Sequence, residues 1–510
     1  MKEFVTDANE ILLYSGEPDL TLLNDLAKGA GDIWHSGPDQ GYKNAFHDII
    51  YQTATFWWYL NDFDNVKTAI SWRVNPDAFV IRKSVWEHLG GFDTTFSNRD
   101  MSALDLGYNL LRNLGGIPLY VSGLFASENK EVKIAAADRY RFYLKHFKRH
   151  HSFYMMFRKG PLKLISEYNA FRKADKSYTR NRLQTILPPR ILHQVQGNPK
   201  VSVVIPTMSR QEFMLKLLAD LSAQTHSPYQ VIVVDATPPE ERNEELYNNL
   251  NTAYELKIFC QQTSGSCRAR NEAISHCEGD YIIFGDDDIR VPPDFVKNHL
   301  RMLQTYNADA CNGLDIRAKN PTDDLKKLSE YYKNSSPESL KAGAAQNFSN
   351  ANSCVSTAWV KKIGGNDINY DGGYGEDSDF GLSLLKHGAM VVQNPFSMNL
   401  HLKPPAGGYR WWGEQNKAIG VERKKQPWEL DIPVKGLAPK PSPTIMYHTM
   451  KFYSEDEVKE YKLKYLFIYL FKSDEGKFIH RLLNLPKRLK QYKKSVFYAE
   501  NLLKLGVRHQ

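Results

Sequence analysis

At 510 residues, with 42% hydrophobic and 12% aromatic side chains, the chain has material for roughly two to four packed domains, which excludes a disordered or fibrous protein. A net charge of +8 over this length favours anionic partners such as nucleotide sugars, phosphates or acidic lipid, and gives no reason to expect nucleic acid. The five cysteines are odd in number and form no Cys-x-x-Cys pair, so neither a disulfide framework nor a zinc site is indicated, and a reducing, cytoplasmic location is expected.

In chain order, Ile11 to Tyr14 reads as a strand and Leu20 to Lys28 as a helix. Residues 131–198 mix aromatics with Lys and Arg at helical spacing, the pattern of a connector with a packed aromatic face and a solvated basic face. Pro188-Pro189 and Gly197-Asn198-Pro199 then mark a boundary. From Val201 the pattern alternates. Val201 to Ile205 is a β-branched run, Phe213 to Ser222 is helical, and Val231 to Val234 is a second buried strand ending at Asp235. Such alternation predicts a parallel sheet flanked by helices, with ligands bound beyond the carboxyl ends of its strands.

A third strand, Tyr281 to Phe284, runs into Asp286, Asp287 and Asp288. Alternation along an extended chain points Asp286 and Asp288 the same way, which suits a hard divalent cation that takes oxygen ligands. Thr207, Asp235 and this triplet all fall at strand ends. Downstream, Gly-Tyr-Gly-Glu-Asp-Ser-Asp at 373–379 precedes a helical pattern, where Glu376 or Asp379 could cap the helix, Asp379 being the better placed.

Taken together, Val-Ser-Val-Val-Ile-Pro-Thr, Val-Ile-Val-Val-Asp, Gly265 to Asn271 with Ala-Arg-Asn, the Asp triplet and the Glu-Asp pair resemble a family 2 glycosyltransferase of the GT-A fold, from Val201 to about Arg410. The resemblance implies an α/β GT-A domain, Rossmann-like, with a mostly parallel sheet flanked by helices, to which a helical linker and a helical C-terminal tail are added. It implies a UDP-sugar donor held by Pro206, Thr207, Asp235, Arg268, Arg270, Asn271, Asp286 and Asp287. Arg270 could equally pair with Asp235 to brace the strands. Mn2+ or Mg2+ would be held by Asp286, Asp288 and His401. Asp377, with Glu376, would take the proton of the acceptor hydroxyl in an inverting transfer. Tyr409, Arg410, Trp411 and Trp412, after Gly407-Gly408, would wall the acceptor. The acceptor itself is a saccharide or lipid-linked sugar of the kind used in bacterial surface glycans. Two other classes remain open: an idle carbohydrate-binding scaffold and a nucleotidyltransferase.

Internal comparison overlays Glu10 to Pro18 on Asp280 to Asp288, placing Gly16 and Pro18 at the positions of Asp286 and Asp288. It also overlays Gly90-Gly91-Phe92-Asp93 on Gly364-Gly365-Asn366-Asp367 and Asp105 on Asp379, which sets Ser102 and Ala103 against Glu376 and Asp377. The expected organisation is a degenerate, non-catalytic partial GT-A-like region at 1–130, a basic and aromatic helical linker at 131–198, a catalytic domain at 199–425, and an extended strap with a basic helical region at 426–510. Beyond position 475 the tail carries nine Lys and Arg against one acid, Glu500. Two further partners stay open: a membrane's inner face, met by that basic region, and a second copy of the chain.

Overall fold

The computed structural model describes residues 1–52, 57–177, 185–248, 250–261, 265–409, 425–471 and 478–510. Its described strands form two sheets. The first has β1 (Lys2–Val5), β2 (Ile11–Ser15), β3 (Ile33–His35), β4 (Thr68–Ile70), β5 (Phe79–Arg82) and β6 (Pro118–Val121) in the order β1-β2-β5-β3-β6-β4. The second contains β7 (Val201–Thr207), β8 (Gln230–Asp235), β9 (Glu255–Cys260), β10 (Tyr281–Gly285), β11 (Ile289–Arg290), β12 (Ala310–Arg317), β13 (Gly343–Ala344), β14 (Asn352–Ser356) and β15 (Val391–His401).

In the second sheet β9, β8, β7 and β10 lie side by side and parallel, as the alternating pattern requires. Beyond β10 the sheet becomes mixed: β14 runs antiparallel to β10 and β12, β15 runs parallel to β12, and β11 and β13 lie antiparallel to β15. β7 and β8 are buried along their whole length, which explains their unbroken apolar character. The helix Gln211–Ser222 crosses back between them, turning Met214, Leu217, Leu218 and Leu221 inward.

The expected aromatic face of the connector packs against the first region. The helix Ala136–His146 buries Tyr140, Phe142 and Tyr143, and the Phe142 ring packs edge-on against Phe46 and Tyr108 of the first region. The aromatic face forecast from spacing therefore belongs to the N-terminal core. The segment after Pro189 is pinned as well, since Arg190 donates to the carbonyls of Gly29, Ala30 and Gly31. One apolar cluster runs continuously from Trp34 and Trp72 through Trp58 to Val204 and Leu385, so the two sheets share a core. Trp58 makes that junction: its ring abuts the flank of Gly381, and its indole N–H donates to Ser378 Oγ at 3.1 Å.

The tail folds back on the second sheet's helices. In the helix Pro443–Phe452, Lys451 pairs with Asp367 at 3.0 Å and Asp379 at 2.7 Å, and the helix Leu485–Leu505 packs alongside it. Among the described residues no helix is long and apolar enough to cross a membrane.

Candidate functional site

Parallel pairing puts the carboxyl ends of β7, β8 and β10 on one edge, with Thr207 opposite Asp235 in register. The chain leaves β10 through Asp286, Asp287 and Asp288 and re-enters the sheet as β11, where Ile289 pairs with His401 at the end of β15. That ladder brings a histidine from more than a hundred residues away against the triplet. Ligand atoms of Asp286, Asp288 and His401 lie within 4.8 Å of one another.

The three aspartates have different tasks. Asp286 Oδ1 accepts from Arg270 at 2.6 Å. Asp287 turns the other way and accepts from the Thr207 hydroxyl at 2.8 Å, and burial pushes its carboxyl upward despite the Arg210 cation nearby. Asp288 Oδ2 accepts from Arg210 at 2.9 Å. Its other oxygen is buried and makes no hydrogen bond, although His401 Nε2 lies 3.2 Å away, a contact whose angle is wrong for a proton. A buried carboxylate oxygen without a donor is costly in a protein interior, and a divalent cation is a partner of the right chemistry. The donor set of two carboxylates and one imidazole therefore fits Mn2+ or Mg2+. His401 Nδ1 lies 3.1 Å from Asp315 Oδ1, which fixes the ring. Burial disfavours the charged imidazole, but the Asp288 and Asp315 carboxylates outweigh it and raise His401 to about 11, so a cation would be ligated there only by displacing that proton.

Facing the triplet, the helix Glu376–Lys386 begins at Gly375, whose φ of 107° turns the chain into the helix. Glu376, Asp377 and Asp379 occupy its first turn, where the helix dipole favours negative charge. Asp377 is half-buried and accepts from the Asn350 backbone N–H at 3.3 Å. Burial and the neighbouring Glu376 and Asp286 charges push it up to about 7, against the pull of Arg270. Asp379 does not cap the helix. It accepts from Tyr370 at 2.8 Å and Lys451 at 2.7 Å instead.

Arg270 pairs with Asp286 rather than Asp235, so it does not brace the strands. Its guanidinium is buried with Nε and Nη1 unpartnered, leaving donors suited to phosphate oxygens. Other expected donor residues are differently engaged. Arg268 turns to the buried Asp371 at 3.1 Å. Asn271 is committed to structure: it accepts from Asn366 N at 2.7 Å and donates to the Asn366 and His509 carbonyls at 2.8 Å each, so it does not reach the pocket. Asp235 is fully buried, with its oxygens accepting from Thr237 N and the Tyr247 hydroxyl. Pro206 is buried within β7.

Tyr409, expected on the acceptor side, donates its hydroxyl to the Thr207 carbonyl at 3.1 Å, which places it against the end of β7. Arg410, Trp411 and Trp412 lie outside the described residues. Sequence reasoning missed Arg210 and Asp315. Arg210 follows β7 by three residues, bridges Asp287 and Asp288, and donates to the Ala406 carbonyl at 3.1 Å. Gly407 and Gly408 (φ 78° and 86°) lie so close to Ser209 and Arg210 that a Cβ on either would collide with them. A cation placed just after a strand end and opposite an acidic triplet was the available signal for Arg210. Nothing local marked Asp315.

Residues 202–363 match the family model described as glycosyl transferase family 2. WcaA of Escherichia coli, a glycosyl transferase assigned provisionally to colanic acid biosynthesis, is 30% identical over 20% of this chain and 36% of its own length. The poly(ribitol-phosphate) beta-N-acetylglucosaminyltransferase TarS of Staphylococcus aureus is 26% identical over 22% of this chain and 20% of its own. The chain thus matches little more than a third of the first relative's length and a fifth of the second's. The structure of TarS residues 1–349 with UDP-GlcNAc superposes with a TM-score of 0.37 at 15% identity, covering 59% of this chain and 82% of that one. On the sequence match, residues 202–363 form a domain of glycosyl transferase family 2.

Proposed function

We propose that this chain is a metal-dependent inverting glycosyltransferase that moves a sugar from a UDP-sugar to a saccharide or lipid-linked acceptor in the synthesis of a bacterial surface glycan, on the cytoplasmic side of the membrane. The observation that carries this reading is the convergence of Asp286, Asp288 and His401, with one buried Asp288 oxygen left without a hydrogen bond, on the edge faced by Asp377. The named roles of WcaA and TarS in polysaccharide chemistry agree with the acceptor class.

In this mechanism Asp286, Asp288 and His401 would hold Mn2+ or Mg2+, which when bound would supply charge stabilisation to a departing diphosphate. Arg270 directs its free N–H groups at the same anion, and Thr207 with Asp235 borders the nucleoside. Asp377 accepts the proton of the acceptor hydroxyl as that oxygen attacks the anomeric carbon on the face opposite the leaving group. A carboxyl raised to about 7 is well matched to this task, because a base works best when its pKa lies near the working pH. Residues 1–130 take no part in the chemistry in this reading and serve as a packing partner for the catalytic helix.

The test is a screen of UDP-sugars with the purified chain, reading UDP release with Mn2+, with Mg2+ and after chelation. Release that depends on metal supports the proposal. Silence under all three conditions would favour an idle binding scaffold, and pyrophosphate release from a nucleoside triphosphate would favour a nucleotidyltransferase.

A further inference from the structure

Away from the site, an apolar ridge crosses helices from two distant parts of the chain. The helix Arg149–Arg158 sits between the helix Leu164–Ser177, through the Phe153 and Phe171 rings at 5.2 Å, and the helix Glu455–Phe471, through Tyr154 and Phe467 at 5.6 Å. Ring contacts then continue from Phe467 to Phe471 at 4.6 Å and to Phe478 at 5.4 Å, the start of the helix Phe478–Leu483. Along this path Phe157 is 73% and Ile479 70% exposed, and Leu162, Ile165, Phe471 and Leu483 are also open to solvent. Scattered apolar residues on a surface need no explanation, but exposed apolar and aromatic side chains grouped on adjoining helices mark a contact surface.

The charges around the ridge say what covers it. Lys148, Lys163, Arg172, Lys173 and Lys176 are exposed beside it, and on the following helix Lys487, Lys490 and Lys493 are exposed as well. Three acids of the same elements are paired, and the exposed Glu500 stands roughly 20 Å along its helix from Lys487. Glu167 accepts from Arg139 and Tyr140, Asp175 from Arg149, and Glu460 from Tyr154 and Arg158. The exposed acids Glu455 and Asp456 stand at the far end of their helix, roughly 20 Å from Phe471. Apolar side chains bordered by uncompensated cations match the boundary between headgroups and acyl chains of a negatively charged membrane, where both terms add.

We infer that the chain docks on an anionic lipid bilayer through this ridge, with Phe157, Ile165, Ile479 and Leu483 entering the interface and the lysines meeting the headgroups. The surface combines residues 148–177 with the C-terminal helices, so the basic tail supplies only part of it. Docking of this kind is independent of the transferase chemistry, and its readout needs no activity.

The full chain should be sedimented with vesicles of phosphatidylcholine alone and of equal parts phosphatidylcholine and phosphatidylglycerol. The wild type should pellet with the mixed vesicles only. The pairs Phe157→Ser with Ile165→Ser, and Ile479→Ser with Leu483→Ser, should each weaken pelleting by roughly tenfold or more, and raised salt should weaken it in the wild type. Because all four side chains are exposed, thermal unfolding should match the wild type. If an apolar pair alters folding, Lys163→Glu with Lys173→Glu provides the same readout. Equal pelleting with neutral vesicles, pelleting with neither, or a dimer in light scattering that the serine pairs dissolve without vesicle binding by the wild type would each overturn the inference, the last in favour of a second copy.

Discussion

The two sheets share a path and differ in what surrounds it. In the first, β2, β5, β3 and β6 lie in order with directions antiparallel, antiparallel and parallel, and in the second β10, β14, β12 and β15 do the same. The second strand of each set continues alike: β5 leads into the helix Lys83–Leu89 and the pair Gly90-Gly91, β14 into the helix Thr357–Ile363 and Gly364-Gly365, and all four glycines have positive φ. The ladders also correct the overlay drawn from sequence. Ile81 sits between Leu13 and Ile33, whereas Val355 sits between Ile282 and Ala310, so Leu13 answers Ile282 and the alignment moves by one residue. Gly16 then answers Gly285, and Glu17 and Asp19 stand where Asp286 and Asp288 do.

The first region therefore keeps two carboxylates at its strand end, yet among the described residues they do not join a cluster able to hold a metal. On the side where β10 meets β7, β2 meets β1, an antiparallel hairpin strand, so among the described residues β7 has no parallel counterpart there. Glu17 is exposed and pairs with Lys2 at 2.8 Å, and Asp19 caps a turn through Thr21 N at 3.0 Å. Carboxylate spacing alone does not make a metal centre. The proposed centre differs in its surrounding donors and in the burial that leaves Asp288 Oδ1 without a hydrogen bond.

The sharpest way to break this comparison is at the base. Asp377→Asn should lower turnover by roughly 10²- to 10⁴-fold while the donor KM stays near wild type. Activity in Asp377→Asn close to wild type would remove the assignment. Next in size, Trp58→Ala should destabilise the chain by about 3–5 kcal/mol, seen as a lower urea midpoint, because a buried ring joining the first region to the catalytic helix is lost. An unchanged midpoint would show that the two regions are energetically separate.

Asp315→Asn removes the charge that orients His401 and should weaken Mn2+ binding by roughly 10- to 100-fold in calorimetry. Equal affinity in the two proteins would mean that His401 is not a ligand. A smaller and graded effect concerns pH. Asp377 must be ionised to act as a base, and its carboxyl is raised to about 7, so the rate should climb with pH up to about 7 and level above it. A profile already flat from pH 5 upward would contradict that environment. Smallest of all, Glu17→Gln should leave both rate and metal affinity as they were. Any loss would mean that the first region takes part in the chemistry after all.

Much of the catalytic edge was legible in the residue order because it is built from local signals. β-branched runs that end at Thr207, Asp235 and the triplet specify buried parallel strands, and alternation alone separates Asp287 from Asp286 and Asp288. The turn at Gly375 and the carboxylates after it are equally local. Tertiary structure decided the rest, since a long polar side chain takes its partner from whatever distant segment is packed beside it. Arg270 went to Asp286 and Arg268 to Asp371, Asn271 was taken up by Asn366 and His509, and Tyr409 crossed to Thr207. Arg210 and Asp315 became part of the site only when β7 and β12 were set beside β10 and β15. The same holds for the silent region: a one-residue step in register, which only paired strands can define, decides whether Glu17 and Asp19 or Gly16 and Pro18 stand opposite the working aspartates.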